Sequence, residues 1–442
     1  MTEAEDLASV TEENAVPEEN VPEENAAPEE NAAPQENAAP EENAAPEENA
    51  APEENAPEEN ADGEKPKKPG LIKRIKASGF FGPGTSAVFI LFGLSVLVYI
   101  LSRFISAFAE FWTRYPAQGI RFLLAKATGW IPFSLAEAVL LCVPFAAVGY
   151  IVCSAVSTRR DGSTKNYNRW LRPVVCLILA VGITFFMGFG PAYNRTTLAE
   201  NLGLESVPVS GQELYDTASA VVEELEPILG DIVFDPDGAS VMPYGYDELV
   251  EKVNAAYEKY AAGADYVSHF YSRPKPIALS EPMTYTHIAG VYTFMTGESN
   301  INTNYPDFLN PYTMAHEMSH QRGIAREDEA NFAAFLVCRE SDDVYVRYCA
   351  YANLLNYLTA SLRSADKELY NDFIRGRMPS QVQGEFVAYS RFFDKYRESV
   401  ASKVTGAVND TYLKSQNQKA GSKSYGLVVD LAVAYYKNAC SK

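Results

Sequence analysis

Three long stretches of the chain are almost free of charge. Residues 79–102 and 173–194 are uncharged, and 131–156 carries only Glu137 near its start. Each is long enough to cross the hydrocarbon core of a bilayer, which takes about 20 residues of helix. A buried core helix would account for one such run but not for three in close succession, so the pattern predicts three transmembrane helices within 79–194.

Beyond that region the apolar positions recur at helical spacing. Residues 213–229 place Leu214, Ala218, Val221, Val222, Leu225 and Ile228 on one face, and 246–261 reads the same way. Past Glu327 helical patterns follow over 327–340, 343–363, 366–375, 380–404 and 425–438. The exception lies between Lys275 and Asn302. There 277–279, 284–288 and 291–294 are β-branched or aromatic and are punctuated by Pro282, Gly290 and Gly297, which predicts a small sheet or hairpin. The expectation is one mostly α, α+β domain over 195–442, large enough to fill a single core.

Charge divides the 442-residue chain again. Residues 1–64 repeat Pro-Glu-Glu-Asn-Ala-Ala with small variations, and their 22 acidic residues, with no basic one among them, account for the whole net charge of −21. Proline every five or six residues breaks helices and paired glutamates repel, so this segment is expected to be a disordered acidic tail. It reads as a solvated spacer, with a basic cytoplasmic partner as the functional alternative. It has no apolar core or cleavage site of a signal peptide. With the rest of the chain near neutral, no surface is suited to nucleic acid. A single soluble domain is excluded.

A basic juxtamembrane segment, 65–78, holds Lys65, Lys67, Lys68, Lys73, Arg74 and Lys76, and the loop after the second run holds Arg159, Arg160, Lys165, Arg169 and Arg172. The positive-inside rule then puts the N-terminus in the cytoplasm and 195–442 outside the membrane. Phe111, Trp112, Tyr115 and Trp130 fit an aromatic belt at the outer interface. Cys338 and Cys349, 11 residues apart, could pair only across a broken helix and are expected to be free thiols; no C-x-x-C spacing suggests a metal cluster.

The chemistry is concentrated in His316-Glu317-Met318-Ser319-His320, which contains two of the chain's four histidines. On a helix, residues four apart stack on one face, so both imidazoles converge on one zinc ion while Glu317 reaches the open position as general base toward water. A catalytic site needs a third protein ligand. On one straight helix Glu327 would lie about 10 Å along the axis from His320, too far to share a metal, so a break is required. Gly323 supplies it, and a second helix starts near Arg326. Metzincins would carry a third histidine where Arg326 stands, which disfavours that class. Glu327, Asp328 and Glu329 remain; Glu327 and Glu329 lie about 200° apart around a helix, so only one can face the metal.

Glu327 with Ala330 and Asn331 reads E-x-x-A-N, similar to the E-x-x-A-D pattern of gluzincin peptidases. With residues 290–300, 408–414 and Ser424-Tyr425, the segment 316–335 resembles an uncharacterised bacterial family, a domain of unknown function with N-terminal membrane spans and a gluzincin-like domain. The resemblance covers most of 79–442. It implies a zincin-like fold, zinc held by His316, His320 and Glu327, and Asn331 as hydrogen-bond partner of a ligand histidine. Asparagine replaces the usual aspartate, and the step to the third ligand is short.

Tyr425, His287 and Tyr412 are candidate oxyanion donors, Tyr425 being preferred, and His269 is read as structural or exposed. The region 284–302 is the candidate edge for a substrate strand. The expected function is a membrane-anchored zinc metallopeptidase that cleaves peptides or proteins outside the membrane. Alternatives are a noncatalytic receptor or scaffold, and hydrolysis of cell-wall peptide amides.

Overall fold

The computed structural model describes residues 80–161, 165–205, 209–397, 399–416 and 427–440. The acidic repeat, the basic segment and Tyr425 lie outside the described residues. The described residues fall in one compact unit.

Three helices are long and apolar enough to span a membrane: Pro83–Phe104, Leu135–Arg160 and Asn168–Asn194. The first is α1, Pro83–Phe104. Two helices unforeseen in the sequence follow, α2 (Ser106–Arg114) and α3 (Pro116–Gly129). The second span is α4, Leu135–Asp161. The third begins as α5, Lys165–Thr184, then widens into a π turn, Phe185–Phe189, and tightens into a 3-10 turn, Gly190–Asn194.

The cause of this change of winding is Pro191, which has no N–H to donate to Met187 four residues back. The Met187 carbonyl is taken instead by the Trp112 indole N–H at 2.8 Å. Arg121, fully buried on α3, donates to the Gly188 and Thr113 carbonyls, each at 2.8 Å. Trp112 is therefore a structural donor between α2 and the third span, a finer role than the interfacial one expected of it. Phe111, Tyr115 and Trp130 do remain exposed.

A short helix, α6 (Leu198–Leu202), leads to α7 (Gly211–Leu225), which Ser210 and Glu213 start with a reciprocal capping box. Next come α8 (Tyr246–Gly263) and the sheet region. Strands β1 (Lys275–Pro276), β2 (Gly290–Thr293) and β3 (Glu298–Ile301) lie in the order β1-β3-β2, with β1 parallel and β2 antiparallel to β3. The expected strand at 284–288 is absent. Ser280–Thr284 forms a short helix, α9, after which His287 turns the chain with a φ of 58°.

Strand β3 was not expected, because Glu-Ser-Asn-Ile does not look like a buried strand. Each polar side chain finds a partner: Glu298 accepts from the amides of Leu135 and Ala136 at the start of α4, Ser299 donates to the Glu317 carbonyl, and Asn300 donates through its amide nitrogen to the Val291 carbonyl, leaving its Oδ1 buried without a partner. Lys275 donates to carbonyls at the end of α3, those of Thr128, Gly129 and Ile131, and Glu137 of α4 accepts from the amides of Ala278 and Leu279. The α3–α4 junction is thus clamped to the sheet.

The remaining helices are α10 (Leu309–Gln321), α11 (Glu327–Arg339), α12 (Val344–Ala365), α13 (Lys367–Gly376), α14 (Ser380–Phe393), α15 (Val400–Ser415) and α16 (Val428–Cys440). The expected helix over 380–404 is two. Tyr396 turns into a cluster with Tyr305 and Phe393, and the Ser399 hydroxyl caps a new start by accepting from the Ser402 amide. One apolar core runs through α7, α8, α10, α11, α12 and α16. Cys338 and Cys349 are buried in it as free thiols. The chain is mostly helical with a small sheet.

Candidate metal centre

Helix α10 is buried along its whole length after Leu309. It ends in a Schellman turn: Gly323, at a φ of 90°, donates to the His320 carbonyl and Ile324 to the Ser319 carbonyl, each at 3.0 Å. This is the break the motif needs, and α11 starts four residues later with Glu327 in its first turn. A side chain at 323 would fail twice, since its Cβ would also stand 2.6 Å from Arg121 Nη2.

The turn brings Glu327 back beside both histidines. His316 Nε2 lies 3.3 Å from Glu327 Oε2, and His320 Nε2 lies 3.6 Å from Glu327 Oε1. One ligand atom from each of the three residues falls within 4.8 Å of the others. A tetrahedral ion with bonds of about 2.0–2.1 Å separates its ligand atoms by about 3.3 Å, so the spacing fits zinc. His320 Nδ1 is 2.8 Å from the Ile324 carbonyl, which fixes the ring with Nδ1 protonated and Nε2 turned toward Glu327.

Electrostatics reflect the same convergence. Burial opposes a charged His320, yet the Glu327 carboxylate beside it prevails and lifts the imidazole to about 9. Burial likewise opposes charge on Glu327, but the two imidazoles hold its carboxyl well below the usual range. Glu317 goes the other way. Burial raises its carboxyl, with the imidazoles only partly compensating. The backbone of β2 crosses directly over it: a Cβ on Gly290 would be 2.7 Å from Glu317 Cγ and Oε1, and the Tyr292 N–H faces the carboxylate.

Glu329 is turned elsewhere, accepting from the Leu198 amide at 3.0 Å and from Arg326 Nη1 at 2.8 Å. Asn331 is not joined to a ligand histidine. Its amide nitrogen and His316 Nδ1 are both buried without a hydrogen-bond partner, while Tyr312 donates to the Asn331 backbone carbonyl at 2.7 Å. His287 lies apart from the triad, its Nε2 2.9 Å from the Tyr396 carbonyl. His269 stacks on Tyr257 near Arg322, and burial with that guanidinium lowers it to about 4.

Tyr412 lies within range of the Glu327 charge and packs on the aromatic wall beside the cluster. Burial raises its phenol to about 12, a hydrogen bond from Tyr193 at 3.2 Å opposes the shift, and the Glu327 charge adds to it. Sequence reasoning missed the rest of the wall. Phe189 stands edge-on to His320 at 6.1 Å and packs with Tyr193 and Tyr292, while Phe185 meets Tyr412. Phe185, Phe189 and Tyr193 belong to the end of the third apolar helix, where hydropathy hides them among lipid-facing residues.

No curated protein and no solved structure matches this chain. A family model described as "Protein of unknown function (DUF3810)" matches residues 112–433, which takes in α3, the sheet, the His316–Glu327 cluster and the start of α16. The chain belongs to this family.

Proposed function

We propose that the protein is a membrane-anchored, zinc-dependent metallopeptidase whose domain lies outside the cytoplasmic membrane of a bacterium. The observation that carries this reading is the convergence of one ligand atom each from His316, His320 and Glu327 within 4.8 Å of one another, with Glu317 following His316 on the same helix. These three residues would hold the ion, and bound zinc would supply Lewis-acid activation of water and of the scissile carbonyl.

The chain's own groups do the rest. Glu317, whose carboxyl burial raises above the ordinary range, takes the proton of the attacking water and passes it to the leaving amine. An extended peptide lies along the outer edge of β2, which pairs on its other side with β3. The Tyr412 hydroxyl donates to the developing oxyanion. Helix α10 is enclosed by protein rather than lipid, which favours substrates in water near the bilayer over intramembrane cleavage.

The test is Glu317→Gln in the full-length protein, assayed on a mixed-sequence peptide library by mass spectrometry. Loss of cleavage with zinc retained is expected. Cleavage at the original rate would refute the assignment.

A further inference from the structure

A cavity of about 290 Å³ opens where the first and third apolar helices end. Apart from Phe104 and Tyr193, its lining residues are polar or cationic: Arg103, Arg326, Ser102, Ser106, Asn194 and Gln416. No carboxylate lines it. Arg103 Nη1 has only long contacts, 3.3 Å to Tyr99 Oη and 3.4 Å to the Ser415 carbonyl, and takes part in no ion pair among the described residues. Arg326 is steadied at 2.8 Å by Glu329 and at 3.2 Å by the Tyr193 carbonyl.

We propose that this cavity binds the phosphate headgroup of an anionic phospholipid. Planar guanidinium groups with hydroxyl and amide donors suit phosphate oxygens. Depth selects the lipid over a free anion. With α1 and the third helix crossing a bilayer, their shared end lies at the level of the headgroups. The apolar complement is adjacent: Phe104, in the cavity wall, is 84% exposed, and Ile105 is 49% exposed. A headgroup in the cavity would lay its glycerol and acyl carbons against these two residues. Arg326 immediately precedes Glu327, so a bound lipid would seat the metal cluster at the membrane surface.

The experiment is native mass spectrometry of the full-length protein in neutral detergent, titrated with phosphatidylglycerol, with diacylglycerol of the same chains, and with glycerol phosphate. It reads lipid binding without any requirement for zinc or turnover. Phosphatidylglycerol should bind at least about tenfold more tightly than either control, as expected for charge-assisted hydrogen bonds to phosphate. Arg103→Gln should weaken it by about tenfold, while Arg377→Gln, which removes an exposed arginine just past the end of α13, should change nothing. Should Arg103→Gln not fold, Ser106→Glu, which puts a carboxylate into the cavity, should cause the same loss. Equal binding of diacylglycerol, equal binding of glycerol phosphate, or wild-type affinity in the cavity variants would overturn the proposal.

Discussion

Gly290 and Glu317 are in contact across the β2–α10 interface, so close that a Cβ on the glycine would lie 2.7 Å from the carboxylate's Cγ and Oε1. Glu317, the proposed general base, is thus held in place by the absence of a side chain. Gly290→Ala should push Glu317 out of position without touching the three ligands. The expected outcome is zinc retained, turnover reduced by about 100-fold, and stability lower by about 1–3 kcal/mol from overpacking. Normal turnover in this variant would show that Glu317 need not be held there.

Gly323 serves the ligands in a similar way. Its left-handed backbone turns the chain between the histidine helix and Glu327, and Arg121 fills the space a side chain would need. Gly323→Ala should cost about 1–3 kcal/mol and weaken zinc binding, since the strain acts on the turn that sets the His320–Glu327 separation. A lowered Tm with reduced zinc content is the expected pair of readings; unchanged zinc affinity would show that the turn does not set the site.

The pH dependence of metal binding follows from His320. In the metal-free protein its imidazole is raised from the ordinary 6.5 to about 9, so its pairing with Glu327 contributes stability in full below 6.5 and loses it as pH rises through about 9. Zinc must displace that proton. Affinity should therefore rise with pH across this window, by up to about tenfold per unit for one proton released. Chelator competition at pH 6.5, 7.5 and 8.5, corrected for the chelator's own protonation, measures it, and a flat profile would contradict a protonated His320.

Tyr412 is separable from the ligands because it touches Tyr193 and senses the Glu327 charge without entering the triad. Tyr412→Phe should keep zinc and fold while lowering kcat by about 10- to 1,000-fold, with KM little changed. A change confined to KM would make it a substrate-binding residue instead.

What could be read from the sequence was what covalent spacing and periodicity dictate. Uncharged runs located the three apolar helices, and His316, His320 and Gly323 have to produce a bent two-histidine site wherever they are helical. What could not be read depends on tertiary partners. Glu298, Ser299 and Asn300 form a buried strand only because α4, Glu317 and Val291 satisfy them. Arg121 reads as a loop charge but is buried under the Gly323 turn. The choice of Glu327 over Glu329 at the cluster rests on Leu198 and Arg326, which hold Glu329 away. For Asn331 the sequence analogy suggested a hydrogen bond to a ligand histidine that the fold does not make.

The most direct measurement of the central claim is zinc per molecule by elemental analysis of the purified full-length protein, beside His316→Ala, Glu327→Gln and Glu329→Gln. About one zinc per chain is predicted. It should be lost or strongly weakened in the first two variants and kept in Glu329→Gln. A folded wild-type protein that takes up no zinc, or a Glu327→Gln variant that holds it as tightly as wild type, would contradict the assignment of this cluster as a catalytic metal centre.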